Sequence, residues 1–564
     1  MRATSLVAVM LISILLVSAG EQQQDDKFQN AYRLIDSYIA QRMKAEQVPG
    51  LSVAITDRQK LLRVSSYGFA DVKTKVPITA DSLFEIGSIS KSFTAVSLLQ
   101  LRDEGKFDPH QPVTKYLPWF SIHSKYPPIT GHDVMSHTAG LPRDRDDVPS
   151  SRYQAAGVRD RWTGYAPGKH WAYSNIGFQI MGYLLEEITQ QPYAGTVQQG
   201  ILKPLEMNHT EPVFTHDTYR KLAVGYAPLY DDRPYNPSAD PLIEATWQEY
   251  GSGDGSIVST APDMAAYLRM LLNRGAGPQR RILSEESFRL LTQRAAKIPD
   301  EENAYYGYGI ETNLVDGHTM VGHSGGMIGY SSRIEGDMDS GIGVVMLMNA
   351  PLGASDMTSF ALKVLRAAAE GRELPALPND APDKLTKPKE FEGTFSNKNG
   401  KQLRVSARGN ALAMEHDGRR ISLQPQGRDS FLVKDADFAI FPLRFGRENG
   451  QVVEAFYGGD WYTNQGYTGP KTFTVPAAWQ SYAGHYRAAH PWFNNLRIVT
   501  RKGKLWLIEP GGGEASVTPR QGGGFDVADP GLPAREQIFF DTVVHGKTQR
   551  ATLSGVSYYR TFTP

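Results

Sequence analysis

The chain contains no cysteine in 564 residues. That absence removes disulfides, thiolate zinc sites, cysteine nucleophiles and a lipid-anchored lipoprotein together. Charge of either sign in excess is missing too. The 60 lysines and arginines are balanced by 60 aspartates and glutamates, so no basic footprint for nucleic acid is present. After the first twenty residues no apolar run is long enough for a stable membrane span. What is left is the composition of a soluble globular protein, too long for a single core and therefore built of several domains.

Residues 1–20 read as a secretory signal. Arg2 supplies a positive start, Leu6 to Val17 an apolar core, and Val17-Ser18-Ala19 a small-residue cleavage site. The expectation is an exported protein, periplasmic or secreted. Residues 27–49 follow as an amphipathic helix. Leu51 to Ile55 and Leu61 to Tyr67 then alternate like two paired strands.

The stretch Gly87-Ser88-Ile89-Ser90-Lys91-Ser92-Phe93 opens a helix of about four turns, buried through Phe93, Val96, Leu98, Leu99 and Leu101 and closed by Gly105. Positions i and i+3 share a helix face, so the Ser88 hydroxyl and the Lys91 amine can touch. Serine becomes a nucleophile when a base takes its proton. Lysine, with an ordinary pKa of roughly 10.4, becomes a base when burial or a helix N-terminus lowers that value. The spacing alone is weak, since Ser88 could equally cap the helix.

Two further groups give it context. Tyr173-Ser174-Asn175 precedes a helix with Ile176, Ile180, Leu184, Leu185 and Ile188 on its apolar side. A tyrosine facing a lysine can serve as a general base, and an amide two residues on can bind a substrate carbonyl. Gly322-His323-Ser324-Gly325-Gly326 spells the Gly-x-Ser-x-Gly of a nucleophile elbow, but an elbow must lead into a helix. Here Met327 to Ile334 is β-like and glycine-broken. The match is therefore read as a decoy, with His323 to Gly326 on an edge strand whose bared backbone a substrate can approach. His132, Asp133 and His137 lack the His-x-x-x-His spacing of a zinc helix, so a structural role and no metal are expected there. Residues 251–273 pass from a glycine-rich turn into a helix capped by Ser259 or Thr260; they lack the phosphate-loop pattern.

Taken in order, Ser88-x-x-Lys91, Tyr173-x-Asn175 and His323-Ser324-Gly325 resemble the motifs of the penicillin-recognising serine hydrolases, in particular the class C β-lactamase branch. That branch includes D-alanyl-D-alanine carboxypeptidases, D-aminopeptidases and β-lactamase-like esterases. The phrases Leu83-Phe84-Glu85-Ile86-Gly87-Ser88, Ser136-His137-Thr138-Ala139-Gly140-Leu141-Pro142 and Pro204-Leu205-Glu206-Met207 extend the resemblance over about 340 residues. It implies an α+β catalytic domain, an antiparallel sheet with helices on both faces. Ser88 would form an acyl-enzyme, with Lys91 and Tyr173 moving its proton. The N–H groups of Ser88 and Gly326 would form the oxyanion hole, and Asn175, His323, Ser324 and Gly325 would bind the substrate. No cofactor and no metal are implied. One position departs from the β-lactamases, which carry Lys-Thr-Gly where this chain has His323-Ser324-Gly325. The histidine form resembles D-aminopeptidases, some carboxypeptidases and esterases, so at most weak β-lactamase activity is expected. A solvated histidine of pKa ~6.5 at that position would be only partly charged at neutral pH. The expected substrate is a small amide, peptide or ester. A penicillin or peptidoglycan sensor that acylates without turnover is the alternative.

Beyond Ala369 the composition changes. Pro375, Pro378, Pro382 and Pro388 mark a linker, and short strands with glycine turns follow. Phe391-x-Gly393-x-Phe395 returns as Tyr482-x-Gly484-x-Tyr486, and Leu423-x-Pro425 with Phe431 returns as Val517-x-Pro519 with Phe525. Such a repeat predicts two small antiparallel, lipocalin-like β-barrels. The expected division is a signal over 1–20, a catalytic domain over 26–374, a linker over 375–389, and barrels over 390–474 and 480–564.

Overall fold

A computed structural model describes residues 28–142, 150–237, 239–247, 249–299, 301–350, 353–378, 385, 387–489, 494–528, 536–553 and 555–561. The expected signal over 1–20 and Pro382 of the linker lie outside the described residues.

The lobe expected to be catalytic is organised on one antiparallel sheet of nine strands. In chain order these are β1 (Gly50–Thr56), β2 (Leu61–Asp71), β3 (Val76–Pro77), β4 (Ala296–Lys297), β5 (Ala304–Tyr306), β6 (Glu311–Val315), β7 (His318–Met327), β8 (Tyr330–Asp337) and β9 (Gly343–Met348). Their spatial order is β3-β2-β1-β9-β8-β7-β6-β5-β4. Chain segments more than 200 residues apart meet at its centre, where Leu51 pairs with Met348 and Ile55 with Val344. These two strands are apolar without alternation and are buried throughout, because helices cover both faces. Leu51, Val53, Ile55, Val344, Met346 and Met348 pack under α1 (28–46) and α5 (Ala354–Glu370). Ala54, Val345 and Leu347 turn the other way, toward α2 (Ser90–Asp103), α3 (Asn175–Thr189) and α4 (Ala261–Leu272).

The local rules account for these helices. Thr130 and Asp133 form a capping box at the short helix Gly131–Met135. Thr260, rather than Ser259, caps α4, with Pro262 in its first turn. Gly371, at φ +70°, ends α5 in the left-handed conformation. Among the described residues no helix is long and apolar enough to cross a membrane.

The repeat corresponds to two closed eight-stranded barrels. The first runs from Gly393–Ser396 to Asp460–Thr463 and closes where Ser396 meets Thr463. The second runs from Gly484–Arg487 to Val556–Arg560 and closes through Tyr486 and Arg560. Their interiors are filled by side chains. In the first, the Phe391, Phe395, Phe431 and Phe445 rings contact edge to face, with centroids 5.1–5.6 Å apart. Charged groups lie at the seams instead. Arg487 and Asn494 each donate to Asp231 of the catalytic lobe at 2.6 Å, and Arg497 donates to Asp232 at 2.9 Å. Between the barrels, Lys502 reaches Glu454 at 2.7 Å and Arg501 donates to the Gly458 carbonyl at 3.0 Å.

Candidate active site

Ser88 sits in a single 3₁₀ turn, Gly87–Ile89, that feeds directly into α2. Lys91 lies in the first turn of that helix, and its side chain is fully buried. The expected contact is made: Lys91 Nζ lies 3.0 Å from Ser88 Oγ. A second partner was not visible in the sequence. The amine donates to the backbone carbonyl of Asp254 at 2.8 Å. That carbonyl is held from both sides. The Tyr250 hydroxyl lies 2.8 Å from both Asp254 carboxylate oxygens, and Thr94 Oγ1 donates to the neighbouring Gly253 carbonyl at 2.6 Å. The 251–255 glycine turn therefore buries one carbonyl against one amine.

Tyr173 immediately precedes the cap of α3. Ser174 Oγ accepts from the Gly177 N–H at 3.1 Å, which makes Ser174 the cap and Asn175 the first helical residue. The Tyr173 ring centroid lies 4.8 Å from Lys91 Nζ. The His137 ring packs against the same ring with centroids 4.3 Å apart. His137, suspected in the sequence only as a metal ligand and read as structural, is buried in a left-handed conformation at φ +58°. Its Nδ1 accepts the Ser174 N–H at 3.1 Å. Burial first, and the neighbouring Lys91 second, hold its pKa well below the ordinary value, so the ring is neutral.

The third motif lies on β7, and here the structure corrects two expectations. The strand is interior to the sheet, between β8 and β6. Only its second half is bared, because β6 pairs with residues 318–322 and ends there. His323 to Met327 run on past it, paired on one side with β8. The β7–β8 link is strand to turn to strand, so Ser324 does not stand on a nucleophile elbow.

His323 is the second correction, being buried rather than solvated (2% exposed). Nδ1 lies 2.5 Å from the Ser324 carbonyl, which can only accept, so Nδ1 carries the proton. Nε2 lies 2.7 Å from the Tyr306 hydroxyl. Burial pushes that hydroxyl's pKa well up, so Tyr306 stays protonated and donates. The same burial pushes the His323 imidazole down to about 4. The ring is neutral at pH 7, with neither nitrogen left to meet a substrate carboxylate.

Backbone meets backbone where the 3₁₀ turn faces β7. Gly87 has φ +52°, and a Cβ there would lie 2.6 Å from the Gly326 carbonyl oxygen and 2.8 Å from its nitrogen. A Cβ on Gly325 would lie 1.9 Å from the Ile86 carbonyl oxygen. Both positions therefore require glycine. Gly326 itself faces open space.

These elements enclose a cleft of about 250 Å³, lined by Ser88, Trp171, Tyr173, Tyr306, His323, Ser324 and Gly326 together with Ile298, Glu301 and Glu311. Asn175 and Gly325 are not part of this lining. Tyr306, Trp171, Glu301 and Glu311 were not selected from the sequence, since no local motif marks them. Among the described residues, the one His/Asp group with metal-like spacing is His318, Asp337 and Asp339, at the opposite end of β7. There Asp337 Oδ1 caps a turn by accepting the N–H groups of Asp339 and Ser340 at 2.9 and 3.0 Å.

A model of the beta-lactamase family matches residues 35–369. The chain is 26% identical over 329 residues to Protein flp of Staphylococcus aureus, covering 56% of this chain and 62% of that protein. It is 24% identical over 396 residues to penicillin-binding protein 4* of Bacillus subtilis, covering 65% and 84% respectively. The structure of the octameric penicillin-binding protein homologue from Pyrococcus abyssi superposes with a TM-score of 0.59 at 25% identity, over 76% of this chain and 98% of that one. With the family matched over more than half its length and the β-lactamase-like lobe described above, this chain belongs to the beta-lactamase family of serine hydrolases.

Proposed function

We propose that the protein is an exported hydrolase that cleaves small amides or esters, D-residue peptides among them, through an acyl-enzyme on Ser88. One observation carries the reading: Ser88 Oγ lies 3.0 Å from the wholly buried Lys91 amine, at the floor of an open cleft. Ser88 Oγ attacks the carbonyl carbon while its proton passes to Lys91 Nζ. The carbonyl oxygen becomes an oxyanion, received by the Ser88 and Gly326 N–H groups on either side of the Gly87 contact. When the carbon–nitrogen or carbon–oxygen bond breaks, Lys91 and Tyr173 return the proton to the leaving group. A water then loses a proton to the same pair, attacks the ester and frees Ser88. Asn175 is assigned to the substrate amide, and Ser324 and the Gly325 backbone to the strand side.

A fluorophosphonate probe followed by peptide mass mapping tests the assignment. Label on Ser88 is expected, with Ser324→Ala retaining turnover. Label on Ser324, or an active Ser88→Ala protein, removes the reading. Cell fractionation tests export: accumulation of uncleaved protein in the cytoplasm would sink it.

The names of the relatives favour a second reading, a penicillin-binding sensor that acylates and stops. Burst kinetics separate the two, because a sensor releases one equivalent of product and then none. The neutral His323 argues for turnover of other substrates, since it offers a penicillin carboxylate no charge.

A further inference from the structure

Two unfavourable features meet at His137. Its backbone is held at φ +58°, a conformation that residues with a side chain rarely adopt. Its ring is buried, and Nδ1 accepts the Ser174 N–H. The proton of the neutral imidazole therefore sits on Nε2, where no hydrogen-bond partner meets it among the described residues. A strained backbone and an unmet buried donor persist together only where the surroundings enforce them, and such positions cluster at functional sites.

What these features secure is a single residue. The His137 carbonyl accepts the Ala172 N–H at 2.8 Å, and its Nδ1 accepts the Ser174 N–H at 3.1 Å. The two bonded groups flank Tyr173 in the chain. The ring adds a third hold: its centroid lies 4.3 Å from that of Tyr173, 4.7 Å from that of Tyr306 and 5.3 Å from that of Phe178. Phe178 belongs to α3 and Tyr306 to β5, so the ring keys the Tyr173 segment to a helix and to the sheet at once. His137 is anchored in turn, its own N–H donating to the Val134 carbonyl of the short capped helix at 3.1 Å.

Resting on the acyl-enzyme reading, we propose that His137 is a positioning residue of the proton relay, clamping the main chain on both sides of Tyr173 and so holding the Tyr173 hydroxyl toward Ser88 and Lys91. It acts through Tyr173 alone and moves no proton itself. A group that trades a proton in the transition state tolerates little drift, since a displacement of about 1 Å can cost ~10²-fold in rate. Such an effect belongs to kcat, because the ground-state complex does not depend on the relay.

The test separates the clamp from a merely structural histidine. Asparagine carries its amide oxygen two bonds from Cβ, where Nδ1 lies, and tolerates the left-handed backbone. Glycine tolerates that backbone equally but offers no acceptor. In the full chain hydrolysing p-nitrophenyl butyrate, His137→Gly is expected to lower kcat by about 30-fold with KM within about 3-fold, and His137→Asn to lose about 5-fold or less. In a Tyr173→Phe background the same glycine substitution should cost less than about 3-fold more. Equal losses in the two backgrounds, a loss carried by KM, or an asparagine variant no better than glycine overturns the proposal. Should His137→Gly fail to fold, His137→Leu, which keeps bulk without an acceptor, replaces it in every comparison. A fully active Ser88→Ala or Tyr173→Phe protein would instead remove the acyl-enzyme relay beneath the clamp.

Discussion

The catalytic lobe and the two barrels bury very different things. The lobe hides Lys91, His137, His323, Arg333 and Asp337, each at a cost in desolvation that only specific partners offset. The barrel interiors hold Phe391, Phe395, Phe431 and Phe445 in one case, and Tyr486, Phe525 and Ile538 in the other. Those interiors need few polar partners; the Tyr486 hydroxyl is an exception, donating to the Tyr482 carbonyl at 2.6 Å. The difference teaches where this chain spends stability: the lobe buries charged and titratable groups around its site, and the barrel interiors bury mainly aromatic and aliphatic side chains.

The sharpest way to break that contrast is at Lys91. Lys91→Met should lower kcat for a small ester by about 10² or more, with a Tm at or above the wild type, because a buried amine is replaced by an apolar chain of similar length. Tyr173→Phe should cost a comparable factor in rate. The double variant should lose far less than the product, since both groups serve one proton path. A Tm that collapses with Lys91→Met would show that the amine holds the lobe together.

Phe431→Ala is the converse case. Emptying a buried aromatic should cost about 3–5 kcal/mol of barrel stability, visible as an early transition in calorimetry, with kcat on the same ester unchanged. A matching fall in kcat would mean that the first barrel shapes the cleft.

The next effect is set by pH. The folded His323 takes up its proton only near pH 4, whereas in the unfolded chain it does so near 6.5. Below about 6.5 the unfolded chain therefore binds a proton that the native site refuses. The contribution of neutral His323 is present in full above that pH and is lost as pH falls toward 4, roughly 3 kcal/mol in all. Burial of His137 acts in the same direction. Denaturant midpoints at pH 7.5 and 4.5 should differ less for His323→Gln than for the wild type; an unchanged difference assigns the acid sensitivity elsewhere.

The smallest change is expected at the docking seam. Asp232→Asn removes a largely buried ion pair with Arg497, worth about 1 kcal/mol and less at high salt. Faster proteolytic cutting between the lobe and the second barrel is the readout, and equal cutting would mean that Asp231 carries the seam.

The same contrast separates what the sequence reveals from what it hides. Barrel interiors repeat their pattern along the chain, so Phe391-x-Gly393-x-Phe395 and its copy mark the strands that open each barrel. Ser88 and Lys91 are one helical turn apart, and their contact follows from local geometry. The Asp254 carbonyl is different: it lies 163 residues from Lys91 and acts through the main chain, which has no letter of its own. His323 was legible as a position but not as a buried, neutral ring, because its burial depends on Tyr306 arriving from β5. The edge-strand reading of β7 failed for a similar reason. β6 covers half the strand, and where it stops is decided by pairing rather than by the residues of β7.

The Gly87–Gly326 contact has a consequence for how this cleft can vary. With main chain resting on main chain, the spacing between the turn and the strand is a gauge fixed by atomic radii. Point substitution can jam it at Gly87 or at Gly325, where a Cβ would strike the facing main chain, but cannot open it. Widening it would take an insertion that shifts β7 against β8. Divergence by substitution is thereby confined to the lining, where Trp171 and Glu301 can change the cargo while the gauge keeps its setting.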